Sequence, residues 1–85
     1  MDNFNKPKEA MFSEIVLVIA EVLRIDPSGI REDSRIMEDL GADSVDAVEI
    51  LAALEERYAR TVDDEEIISF KTPGDILAYL SETND

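Results

Sequence analysis

Along the first third of this chain, apolar side chains recur every three to four residues. Phe12, Ile15/Val16, Ile19 and Val22/Leu23 follow the 3.6-residue period of an amphipathic helix, which predicts a helix from about Lys8 to Leu23. Pro27 and Gly29 stop it. The same period returns in Ala47, Ile50, Leu51, Leu54 and Tyr58, a second helix that begins at Asp43 or Ser44 and runs to about Arg60. Asp43 is a suitable N-cap, and Asp46, three residues on, stands where a capping box places its reciprocal partner. Thr72-Pro73-Gly74-Asp75 opens a last helix, with Thr72 as cap, Pro73 at the first helical position and Asp75 at the third. It carries Ile76, Leu77, Tyr79 and Leu80 towards the core. Between these two helices Val62 leads into a short acidic turn that Asp63 or Asp64 can cap, with Ile67, Ile68 and Phe70 as its apolar contacts. No stretch alternates cleanly enough to be a strand. The fold class expected is all-α: a four-helix bundle of three main helices and one short one, with a long loop between the first and second.

That loop, from about Arg24 to Ala42, is longer than compact domains usually allow. Ile25, Ile30, Ile36, Met37 and Leu40 are expected to pin it to the helices, and Gly41 permits a turn at its end. Residues 1–7 read as a flexible N-terminal tail ending in Pro7, and residues 8–85 as a single helical domain. A chain of 85 residues buries only roughly 60–65 % of its unfolded surface, so its stability is modest.

Composition removes whole classes of function. Cysteine and histidine are both absent. That rules out disulfides, zinc sites built from Cys or His, and any Ser-His or Cys-His nucleophile pair, and it removes the usual general base at neutral pH. No metal site is expected. Asp plus Glu number 21 and Lys plus Arg 8, a net charge of −13. This balance argues against nucleic acid and against docking on an anionic membrane, and favours basic partners. The most apolar run, Ile15 to Ala20, is bracketed by Glu14 and Glu21 and is too short to span a bilayer, so no membrane insertion is expected. No targeting segment is read, which leaves the cytoplasm as the expected location.

Residues 36–56 contain Glu38, Asp39, Asp43, Asp46, Glu49, Glu55 and Glu56 and no Lys or Arg. On a helical wheel the second helix has its core face at Ala47, Ile50, Leu51, Leu54 and Tyr58. Asp46, Glu49, Ala53, Glu56 and Arg60 gather on the opposite side, and Val45, Val48 and Ala52 form a third, apolar stripe between them. Two readings stand side by side. A basic partner with a small hydrophobic patch would match this surface. Equally, a charge run is often only a solvated face, and acidic residues near a helix start favour its dipole. Ser44 lies in the first turn. A serine there is most often a cap. If Asp43 already caps, the hydroxyl faces solvent at a helix end whose N–H groups favour a phosphate ester. With no histidine to take its proton it is no hydrolase nucleophile, but it can accept a phosphoryl-containing group from another enzyme.

The run Glu38-Asp39-Leu40-Gly41-Ala42-Asp43-Ser44-Val45-Asp46, followed by Val48-Glu49 and Leu54-Glu55-Glu56, resembles the acyl carrier proteins. The likeness extends from about Lys8 to Leu80 and includes the Asp63-Asp64-Glu65-Glu66 turn. It implies a carrier and not an enzyme. Ser44 matches the serine that receives 4′-phosphopantetheine from coenzyme A, a group placed by a phosphopantetheinyl transferase and ending in a thiol that carries acyl groups as thioesters. Asp43 and Asp46 flank that serine as in the family. Glu49, Glu55 and Glu56 match its acidic docking helix, which meets basic patches on acyl-transferring and synthase enzymes. Val48 matches an apolar docking position. Val45 stands where the family most often has Leu, and Ala52 where a larger residue, often Met, is common, so the docking patch is shallower. Leu51, Leu54, Val62, Ile67 and Phe70 match positions that line the acyl pocket. Arg57 and Arg60 lie where an acidic or neutral stretch is more usual. These departures leave a specialised carrier, for polyketide-like or lipid-modifying chemistry, open beside the carrier of fatty-acid synthesis. Such carriers usually work as monomers. Two alternatives remain: an aminoacyl or peptidyl carrier, and an acidic helical interaction module without cofactor. The Asp43-Ser44 pairing leans towards acyl cargo.

Overall fold

A computed structural model describes residues 7–67 and 69–82. All regular structure among them is helical: α1 (Lys8–Leu23), a 3-10 turn (Pro27–Gly29), α2 (Ser44–Tyr58), a single turn α3 (Asp64–Ile67) and α4 (Pro73–Glu82). The side chains of Asp64 and Ile67, and the whole of Ile68, lie outside the described residues, so the cap and contacts expected of them do too. Residues 1–6 of the expected tail also lie outside.

Helix α1 is the centre of the bundle and packs against both α2 and α4. Ile15 and Ile19 are wholly buried, as their spacing predicts. The buried face is wider than that spacing implies: Met11, Val18 and Ala20 are buried as well, while Phe12 is only partly so. A helix covered on two sides by neighbours needs more than one apolar stripe. Against it stand Ile50 and Leu54 of α2 and Ile76, Leu77 and Leu80 of α4.

The long loop is held by its backbone as well as by its side chains. Ile36 N–H donates to the Lys71 carbonyl at 2.9 Å, and Gly74 N–H donates to the Glu32 carbonyl at 3.0 Å. Two points of the loop are thereby stitched to the start of α4. A Cβ at position 74 would lie 3.1 Å from the Glu32 carbonyl oxygen, so glycine allows this approach. Ile30 and Ile36 are buried, and Ile25 and Leu40 pack against the core. Met37 does not pin the loop as expected; it is 52 % exposed. The bond from Ile36 turns that residue inward and leaves its neighbour facing out. Gly41 takes a φ of +82°, the left-handed turn that leads into α2.

Helix α2 ends at Tyr58, two residues short of the expected Arg60. Ala59 adopts the left-handed conformation with φ 54°, and the N–H groups of Ala59 and Arg60 both donate to the Glu55 carbonyl. The Glu55 carboxylate accepts the Val62 N–H at 2.6 Å and draws the chain back. Arg60 therefore leaves the outward stripe: it is half-buried, with its guanidinium 5.7 Å from the centre of the Tyr79 ring. Ala53, expected on that stripe, instead packs against the core.

The Tyr58 hydroxyl donates to Glu14 Oε1 at 2.5 Å and so ties the end of α2 to α1. Burial first, and the Glu14 carboxylate second, raise the phenol above its ordinary value of 10.0. The folded chain thus holds this proton more tightly than the unfolded one. The contribution is complete below pH 10 and falls away above it, where the unfolded state ionises first. Thermal melts of Tyr58→Phe should show a loss of about 1 kcal/mol at neutral pH, because the Glu14 carboxylate loses a donor. Above pH 10 the variant should lose stability less steeply than the parent; equal slopes would show that this phenol does not drive the decline.

Candidate functional site

The site is built at the head of α2. Asp43 is extended (φ −103°), and its Oδ1 accepts the Asp46 N–H at 2.8 Å. In return Asp46 Oδ2 accepts the Asp43 N–H at 3.2 Å. The capping box predicted from spacing is present. Asp43→Ala should cost about 1 kcal/mol, a fall of about 4–8 °C in melting temperature, with Asp43→Asn much closer to the parent; a melt unchanged by the alanine would remove the cap from this account.

Because Asp43 does the capping, Ser44 is left at the first helical position with its side chain exposed. The N–H groups at this end of a helix have no partner within the helix and carry its positive dipole end. Beside Ser44 opens a cavity of about 430 Å³. Ser44, Ala47 and Val48 approach it from α2, Ile36 and Met37 from the long loop, and Phe70 from the chain ahead of α4. Ile50, Leu51 and Ile76 form its buried apolar floor. An accessible hydroxyl at the positive end of a helix dipole and an apolar cavity beside it fit a phosphate-linked arm with an apolar cargo.

The expected pocket residues divide. Leu51 and Phe70 are on the wall. Leu54 and Val62 are buried elsewhere in the core and do not line this cavity. Ile67 has no described side chain. Spacing alone overlooked Ile36, Ile50 and Ile76, which were read only as core, and overlooked Arg35 and Lys71, which also line the cavity. Arg35 had a legible signal: Glu38 and Asp39 follow at helical offsets, and its guanidinium lies 2.7 Å from Glu38 and 3.7 Å from Asp39. Lys71 had only its place before the Thr72 cap. That cap forms as predicted: Thr72 Oγ1 accepts the Asp75 N–H at 3.1 Å, and Asp75 Oδ2 accepts the Thr72 N–H at 3.1 Å.

The outward side of α2 carries Val45 and Val48, 64 % and 54 % exposed, with Ala52 exposed beside them. Glu49 and Glu56 are exposed, Asp46 is half-buried, and Asp43 is exposed at the helix head. Glu55 is half-buried, and its bond to Val62 gives it a structural task that spacing did not reveal. Among the described residues no group of His, Cys, Asp and Glu side chains could hold a metal ion.

The head of α2 thus sets an exposed serine beside an apolar cavity in a helical domain. The profile of the phosphopantetheine attachment site family matches residues 13–80. Curated relatives named acyl carrier protein cover most of the chain. The one from Wolinella succinogenes is 44 % identical over 75 residues, 88 % of this chain and 97 % of the relative. That from Clostridium perfringens is 40 % identical over 72 residues, 85 % and 95 % of the two chains. That from Thermotoga maritima is 35 % identical over 75 residues, 88 % and 93 %. This chain belongs to the acyl carrier protein family. It carries acyl groups on a covalently attached 4′-phosphopantetheine and is a carrier, not a catalyst. Among the described residues no helix is long and apolar enough to cross a membrane.

Proposed function

We propose that Ser44 is the tether: on a phosphopantetheinyl transferase its Oγ bonds to the phosphorus next to the pantetheine of coenzyme A, the pyrophosphate P–O bond breaks, adenosine 3′,5′-bisphosphate leaves, and the hydroxyl proton passes to the transferase. The observation that carries this reading is the division of labour at the head of α2, where Asp43 caps and Ser44 stands exposed on the cavity wall. The group supplies the thiol that a chain without cysteine lacks. The chain's own residues do the rest. Asp43 and Asp46 hold the helix head rigid through their reciprocal bonds. The apolar floor shelters an acyl chain, each methylene removed from water contributing ~0.8 kcal/mol. Leu51 and Phe70 serve as acyl-pocket residues, with Leu54 and Val62 supporting them from the core.

The exposed stripe Val45, Val48 and Ala52, flanked by Asp43, Asp46, Glu49, Glu55 and Glu56, is the surface offered to basic patches on acyl-transferring and synthase enzymes. The partners belong to fatty-acid, polyketide or related lipid synthesis. The one-turn α3 is the short fourth helix of the bundle. The protein acts as a monomer in the cytoplasm, where a net charge of −13 keeps copies apart. Incubation with coenzyme A and a broad-specificity transferase should add one phosphopantetheinyl mass per chain, and digestion should place it on the peptide holding Ser44. Mass on another peptide would overturn the assignment.

A further inference from the structure

The wall of the cavity beside Ser44 is uneven. Its floor is apolar and buried, but two exposed cations, Arg35 and Lys71, stand at its rim. The chain has only 8 basic residues against 21 acidic ones, so two at one cavity mouth is a concentration against the general trend. A hydrocarbon guest gains nothing from them. Methylenes gain by leaving water, whereas a cation loses when an apolar group covers it.

The two cations are in different situations. Arg35 is committed to Glu38, itself on the wall, and to Asp39. Lys71 makes no ion pair with a described residue. The nearby Asp75 is engaged instead with backbone, its Oδ2 accepting the N–H groups of Lys71 and Thr72 at 3.0 and 3.1 Å. Lys71 is also anchored on its other side, since its carbonyl accepts the Ile36 N–H at 2.9 Å. The backbone at the root of the side chain is fixed, and the exposed residue lines the cavity.

We propose that Lys71, backed by Arg35, is an anion subsite at the rim of this cavity. It holds an anionic oxygen group of what is tethered at Ser44: the phosphodiester of the arm, or a carboxylate on a short acyl cargo. The inference rests on the reading of Ser44 as the tether. In a chain this acidic, an added negative charge beside Asp43, Asp46 and Glu38 is repelled unless a cation meets it. A carboxylate close to the thioester stays at the mouth, within the reach of Lys71, whereas the end of a long saturated chain lies in the apolar floor.

The test compares four forms of the full chain: unmodified, loaded with the bare arm, and loaded with either a four-carbon saturated acyl group or a four-carbon dicarboxylic half-thioester. Intact mass confirms each. The chain has three lysines, Lys6, Lys8 and Lys71, so the ε-CH₂ NMR signal of Lys71 is assignable by its loss in Lys71→Met. A shift that appears on attaching the bare arm supports the subsite with the phosphodiester as its ligand. One that appears only with the dicarboxylic cargo supports it with the carboxylate. In that case Lys71→Met should speed hydroxylamine cleavage of the dicarboxylic thioester about two- to fivefold, the range of an exposed charge pair, and leave the saturated one unchanged. A shift that first appears with the saturated acyl group reflects filling of the cavity and overturns the proposal, as does no shift in any loaded form. If no mass adds at Ser44, the tether reading fails and this inference with it; mass without a shift defeats this inference alone.

Discussion

Ser44→Ala should abolish attachment of the arm completely while leaving the fold intact. The two halves of this result have separate causes. On the proposed reading the arm is carried by the Ser44 oxygen, and alanine has none. Stability does not need it, because Asp43 makes the capping bond at 2.8 Å and Ser44 is exposed. Exposed substitutions of this kind stay within about 0.5 kcal/mol, and alanine is the residue that costs a helix least. A melting temperature more than a few degrees below the parent would mean that Ser44 is part of the cap, and the division of labour at the head of α2 would be wrong. Continued loading of the variant would move the tether elsewhere.

The second large effect is expected at Ile50. It is 1 % exposed, belongs to the core shared with α1, and forms part of the cavity floor. Ile50→Ala removes apolar contact from the core and enlarges a cavity that already exists. The loss should be about 2–5 kcal/mol, and each kcal/mol lowers the melting temperature of a domain this size by about 4–8 °C. A domain of this length has few kcal/mol to lose, so the variant should be largely unfolded near the parent's melting point. The same position offers a functional check. A medium-length acyl chain on the arm should restore part of the lost stability in Ile50→Ala, because the guest fills space the side chain vacated. A loaded variant that melts with the unloaded one would show that the acyl chain does not enter at Ile50.

Much of the fold was legible because its punctuation is chemical. Asp43 with Asp46, and Thr72 with Asp75, are reciprocal caps whose three-residue spacing is fixed by helix geometry, and both form. The start and end of α1 followed from Pro7 and from the apolar period. What stayed hidden depends on contacts between segments distant in sequence. Met37 lies half exposed on the cavity wall beside Ile36, whose N–H bonds to the Lys71 carbonyl, and no local pattern encodes that long-range bond. The end of α2 is set by left-handed Ala59 and by Glu55 reaching Val62, which draw Arg60, expected on the side opposite the core, into a turn. Ser44 was legible as a candidate from its place in the motif. The cavity beside it was only half legible: its wall draws on α2, the loop and the start of α4 at once, so Leu51 and Phe70 were found while Arg35 and Lys71 were not.

Absence of cysteine makes the central claim open to a direct count. Every thiol on this protein must come from the arm. Titration of free thiols in the denatured, unacylated protein should give none before treatment with coenzyme A and a transferase, one per chain afterwards, and none in Ser44→Ala treated in parallel. A thiol gained by the alanine variant, or no thiol gained by the parent, would contradict the account.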